Sequence, residues 1–82
     1  MAFIMFRERS FVVLDRDLPG NRLLAGDVGV VVHVYRERYA YEIEFVDGGG
    51  ATVAIVTVKE EDIRLLEPGE ILHTRRRDEN VD

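Results

Sequence analysis

Apolar residues recur along this chain every second position, not every third or fourth. The cleanest case is Tyr41-Glu42-Ile43-Glu44-Phe45, where aromatic and aliphatic residues alternate with glutamates. A period of two puts neighbouring side chains on opposite faces of an extended strand. Tyr41, Ile43 and Phe45 therefore face a core, and Glu42 and Glu44 face water. Residues 10–14, rich in aromatic and β-branched side chains, predict a first strand. Residues 28–35 predict a second. One of its faces carries Val28, Val30, Val32 and Val34, and the other carries Gly29, Val31, His33 and Tyr35. Both faces are largely apolar, which places this strand at the centre of the sheet or under cover on both sides. Residues 51–58 predict a fourth strand, and 63–66 a brief fifth.

The breaks between these runs have their own chemistry. Pro19-Gly20 predicts a turn in which proline presets φ and glycine supplies a positive φ. Leu23 and Leu24 beyond it suggest a loop that folds back over one end of the core. Asp47-Gly48-Gly49-Gly50 reads as a hairpin loop between strands three and four. Lys59-Glu60-Glu61-Asp62 fits a single helical or 3-10 turn before the last strand. Pro68-Gly69 marks another turn.

The chain divides into an apolar N-terminal arm, residues 1–9, a regular domain, residues 10–66, and a polar C-terminal tail, residues 67–82. Phe3, Ile4 and Phe6 in the arm predict an added strand or a contact, because such side chains are costly to leave in water. The arm is too short to span a bilayer and lacks the basic start of a signal peptide. These features and the absence of cysteine suit a cytoplasmic protein and exclude a disulfide framework.

Charge narrows the function classes. The chain has 82 residues and a net charge of −5, from 16 acidic and 11 basic side chains. The regular domain carries ten acids against six bases. That balance argues against a phosphate backbone as partner and suits a basic protein. The only basic cluster, Arg75-Arg76-Arg77, is followed directly by Asp78 and Glu79, which cancel much of its field.

On these residues the chain resembles the SH3-like small barrels. Ala25-Gly26-Asp27-Val28-Gly29-Val30-Val31 is similar to the loop-and-strand signature of KOW-type translation and transcription modules. A closer resemblance is to a family of short uncharacterised bacterial proteins, a domain-of-unknown-function family. It rests on Asp17-Leu18-Pro19, Gly26-Asp27-Val28-Gly29 and Tyr41-Glu42-Ile43-Glu44-Phe45 and spans residues 10–66. The resemblance implies an all-β fold, a five-stranded SH3-like barrel closed or nearly closed on itself. It brings no catalytic residues. Some relatives accompany toxin-like genes, which implies an antitoxin or immunity role.

Catalytic and cofactor chemistry find little support in the residues. His33 and His73 lack the companions a zinc site needs, and Ser10 has no partner histidine at a recognisable position. The glycine triplet runs into a strand, whereas phosphate-cradling loops open onto a helix. No cofactor or metal is expected. The reading is a non-catalytic protein-interaction module. Its binding residues are Val31, His33, Tyr35 and Tyr39, with Glu42 and Glu44 attracting a basic protein partner; a homo-oligomer would also use the surplus apolar surface. The alternatives are an antitoxin or immunity protein masking a basic toxin, and a KOW-like RNA- or ribosome-associated module.

Overall fold

The computed structural model describes residues 5–47, 49 and 51–69. Five strands, β1 (Phe11–Leu14), β2 (Val28–Tyr35), β3 (Ala40–Val46), β4 (Thr52–Lys59) and β5 (Ile63–Leu65), form one antiparallel sheet in the order β4-β3-β2-β1-β5. The protein is all-β, as the alternation predicts. Three-residue 3-10 turns stand at Pro19–Asn21, Arg36–Arg38 and Glu60–Asp62, the last of them immediately before β5. Phe3, Ile4, Gly48, Gly50, Ile71, Leu72, His73 and Arg75, Arg76 and Arg77 lie outside the described residues.

The sheet is open: among the described residues no ladder joins β4 to β5. All five strands nevertheless feed one core. Val12 and Leu14 come from β1, Val31 from β2, Tyr41, Ile43 and Phe45 from β3, Val58 from β4 and Ile63 from β5. A flat sheet cannot bring its two edges to one cluster, so the sheet curls around these side chains. The curl has a local cause. The β2–β3 register shifts between Val31 and His33, a bulge that inserts one residue into β2 and bends it. On the other side of β2, Arg9 N–H donates to the Val31 carbonyl at 2.8 Å and Val31 N–H to the Ser10 carbonyl at 3.0 Å. Arg9 holds a positive φ of 74° there.

Gly29 sits inside β2 opposite Phe45. A Cβ at this position would lie 2.5 Å from Ile43 Cγ2 and 2.9 Å from the Glu44 carbonyl oxygen. Only glycine lets β2 and β3 approach this closely. Gly26 has a different reason: its φ of +96° turns the chain into β2.

The long β1–β2 connection is held by its own aspartates. Asp17 Oδ1 accepts the Ala25 N–H at 2.8 Å and Asp27 Oδ2 the Leu24 N–H at 2.9 Å. Leu18 and Leu23 pair across it as an isolated bridge. Leu23 is buried in the core, as the fold-back of this loop predicts, while Leu24 remains exposed. The Pro19-Gly20 turn differs from expectation. Gly20 does not take the positive φ; Arg22, capping the 3-10 turn, does, at 59°.

The arm is tied down from Met5 onward. Phe6 is buried against Tyr41, ring edge to ring face, with centroids 5.3 Å apart. The Tyr41 hydroxyl accepts the N–H groups of Met5 at 3.2 Å and Phe6 at 3.3 Å and donates to Glu60.

Candidate functional site

The bulge decides which side chains reach the surface. Before it, Gly29 and Val31 face inward; after it, Val34 packs on the core and His33 and Tyr35 face outward. Strict alternation would have put Val31, His33 and Tyr35 together. The structure separates them. Val31 is 1% exposed and belongs to the core, so it cannot touch a partner. The apolar surplus of β2 is thereby explained in part: the strand supplies Val31 and Val34 inward from opposite parities.

What remains outside is a continuous face. The registers place Phe11 beside Val30, Val30 beside Glu44 and Glu44 beside Ile55, one row across four strands. Phe11 is 49% and Ile55 56% exposed. The next row runs from His33 through Glu42 to Thr57. Glu42 and Glu44 occupy alternate positions of β3 and so stand about 7 Å apart at the usual strand rise. Both are half-buried among their neighbours, where water-facing carboxylates were expected.

Each carboxylate is oriented by a hydroxyl. Tyr35 Oη donates to Glu42 Oε1 at 3.4 Å, and Thr52 Oγ1 donates to Glu44 Oε2 at 2.8 Å. Tyr35 is itself pinned. The His33 ring meets it edge-on at 4.6 Å, and the Arg38 guanidinium lies 4.5 Å from its centroid. An exposed cation–π contact of this kind contributes on the order of 0.5–1 kcal/mol. Arg38 comes from the Arg36–Arg38 turn, which ends on Tyr39 in a left-handed conformation with φ 50°.

That conformation sends Tyr39 elsewhere. Its side chain, 46% exposed, lines a cleft of about 490 Å³ with Met5, Lys59, Glu60 and Glu61. Of the six residues singled out in the sequence, His33, Tyr35, Glu42 and Glu44 share one face, Tyr39 stands apart from it, and Val31 is in the core.

Three members of the surface were not legible as such. Phe11 and Ile55 read simply as strand residues, because only the register sets them beside Val30 and Glu44. Arg38 read as loop charge; its signal was proximity to Tyr35 through a turn short enough to bring it back over the ring. Among the described residues, no three His, Asp or Glu side chains cluster as metal ligands, and no helix is long and apolar enough to cross a membrane.

Fold and surface thus define a small all-β domain with one mixed apolar and acidic sheet face. A family model for a domain of unknown function, DUF4926, matches residues 8–65, and the chain belongs to that family. No curated protein and no solved structure matches the chain. The motif residues now have physical roles: Asp17, Gly26 and Asp27 shape the β1–β2 connection, Gly29 permits strand approach, and Tyr41, Ile43 and Phe45 fill the core.

Proposed function

We propose that the protein is a non-catalytic protein-interaction module, a bacterial cytoplasmic accessory protein on an SH3-like barrel plan. Its outer sheet face receives a basic segment of a protein partner. The observation that supports this is the row Phe11–Val30–Glu44–Ile55, in which a carboxylate is set between half-buried Val30 and exposed Ile55, with exposed Phe11 beyond. Burying such side chains yields roughly 25 cal/mol per Å². A lysine or arginine docked over Glu44 and Glu42 would meet them out of bulk water, where attraction is stronger and misplaced charges are penalised. Masking of a basic toxin by this face is one form of this reading.

The test is affinity capture with the wild-type protein and with the double variant Glu42→Lys, Glu44→Lys, followed by direct titration of the captured partner. A partner bound by the wild type and lost by the folded variant supports the reading. Equal binding by both overturns it. RNA binding that strengthens steeply as salt falls would replace it with the KOW-like alternative.

A further inference from the structure

The two edges of the sheet are not alike. The β5 edge is three residues long and carries Arg64 at its centre, which bridges to Asp15 at 3.6 Å. Short, charged edges of this kind resist strand pairing. The β4 edge spans eight residues, Thr-Val-Ala-Ile-Val-Thr-Val-Lys, with one charge, Lys59, at its end; its register with β3 shifts at Val53, so the regular ladder runs from Ala54 to Lys59. Among the described residues nothing pairs with its far side.

The backbone of that edge can be assigned. Glu60 N–H donates to the Tyr39 carbonyl at 2.9 Å, so the next pair, Lys59 with Ala40, is a non-hydrogen-bonded one. Alternation along the antiparallel ladder then turns the N–H and C=O groups of Lys59, Thr57 and Ile55 away from β3. Their side chains lie on the outer face, and Ile55 is its most exposed apolar strand residue.

We propose that this edge joins two copies of the chain, β4 pairing antiparallel with β4 about a two-fold axis at Ile55. This interface uses the edge of the sheet and stands independently of a basic partner on its face. Three features select a second copy as the occupant. The outward N–H and C=O groups of Ile55 meet those of Ile55 in the second copy, which satisfies both in one hydrogen-bonded pair. The same register sets Ala54 opposite Val56 on the inner face, so the apolar layer continues across the join. Finally, β4 contains no acidic residue, so pairing along it brings no carboxylate of this −5 chain opposite another within the ladder. The row Phe11–Val30–Glu44–Ile55 then runs unbroken into its own two-fold image, and the ten strands form one sheet.

The experiment is sedimentation equilibrium of the purified full chain from low-micromolar to submillimolar concentration, with amide hydrogen exchange on the same samples. The wild type is expected to reach twice the 9.4 kDa chain mass, with exchange at Ile55 and Thr57 slowing as concentration rises. Ile55→Lys puts two like charges face to face, and Thr57→Pro removes an outward N–H that β3 does not use. Both are expected to halve the mass while the far-ultraviolet dichroism of the wild-type monomer is retained. If Thr57→Pro fails to fold, Ile55→Lys carries the test alone. A wild type that stays monomeric, a folded Ile55→Lys that stays dimeric, or a dimer with unprotected Ile55 and Thr57 amides overturns the proposal. Protection that arises only on adding a partner segment also overturns it, in favour of an extended heterologous strand at this edge.

Discussion

Tyr41 and Glu60, 19 residues apart, are joined through the tyrosine hydroxyl, which also accepts two backbone N–H groups of the arm. One side chain near the start of β3 thus fastens the turn before β5 to the segment before β1. The same hydroxyl is fully removed from water. Burial first, and the hydrogen bond to Glu60 second, raise its pKa above the ordinary tyrosine value of 10.0.

That shift makes an alkaline prediction. The native state favours the neutral phenol more than the unfolded chain does. Its contribution to stability is therefore complete below the unfolded pKa, about 10, and lost as pH rises through the higher folded value. Urea midpoints measured across the alkaline range should fall in the wild type, and part of that fall should vanish in Tyr41→Phe. At neutral pH the same variant should be about 1–3 kcal/mol less stable, because the Phe6 N–H loses its partner and the hydroxyl link to Glu60 is gone, while Met5 N–H keeps its bond to Glu60 at 3.3 Å.

Phe6 supplies the apolar half of the same fastening. Phe6→Ala should cost about 3 kcal/mol, near the lower end for a buried aromatic, since the arm can partly relax. In a domain of this size that is a large share of the total, so the denaturant midpoint should drop sharply. A midpoint equal to the wild type would show that the arm does not hold the core.

Gly29→Ala tests the close approach of β2 and β3. The added methyl meets the Glu44 carbonyl, which is backbone and cannot swing away. Overpacking of this sort costs about 1–3 kcal/mol, so thermal unfolding should move down by several degrees. An unchanged melting temperature would mean that the strands can separate freely at this point.

Val31→Asp distinguishes core from surface within β2. A carboxylate at this buried position has no partner, so the variant should be largely unfolded by dichroism at neutral pH. The outward Val32→Asp should stay folded with a stability change within about 0.5 kcal/mol, the usual range for surface substitutions. Two folded proteins would refute the burial of Val31 in the core.

Much of this fold can be read from residues 10–66. Strand period, the 3-10 turn before β5 and the inward set Tyr41, Ile43 and Phe45 follow from local rules. Each depends on one segment's own geometry: alternation belongs to a single extended chain, and a turn to the dihedrals of a few residues. The outward partition of β2 is different. A one-residue bulge reverses parity, and it sits where Arg9 and Ser10 pair with β2 on one side and β3 on the other. The burial of Phe6 beneath Tyr41, the seat of Ile55 beside Glu44, the departure of Tyr39 from the face and the β4 edge left unpaired among the described residues are likewise relations between segments. Period-two patterning sorts side chains within a strand, whereas register, curl and sheet order sort them between strands, and it is the second sorting that builds the surface.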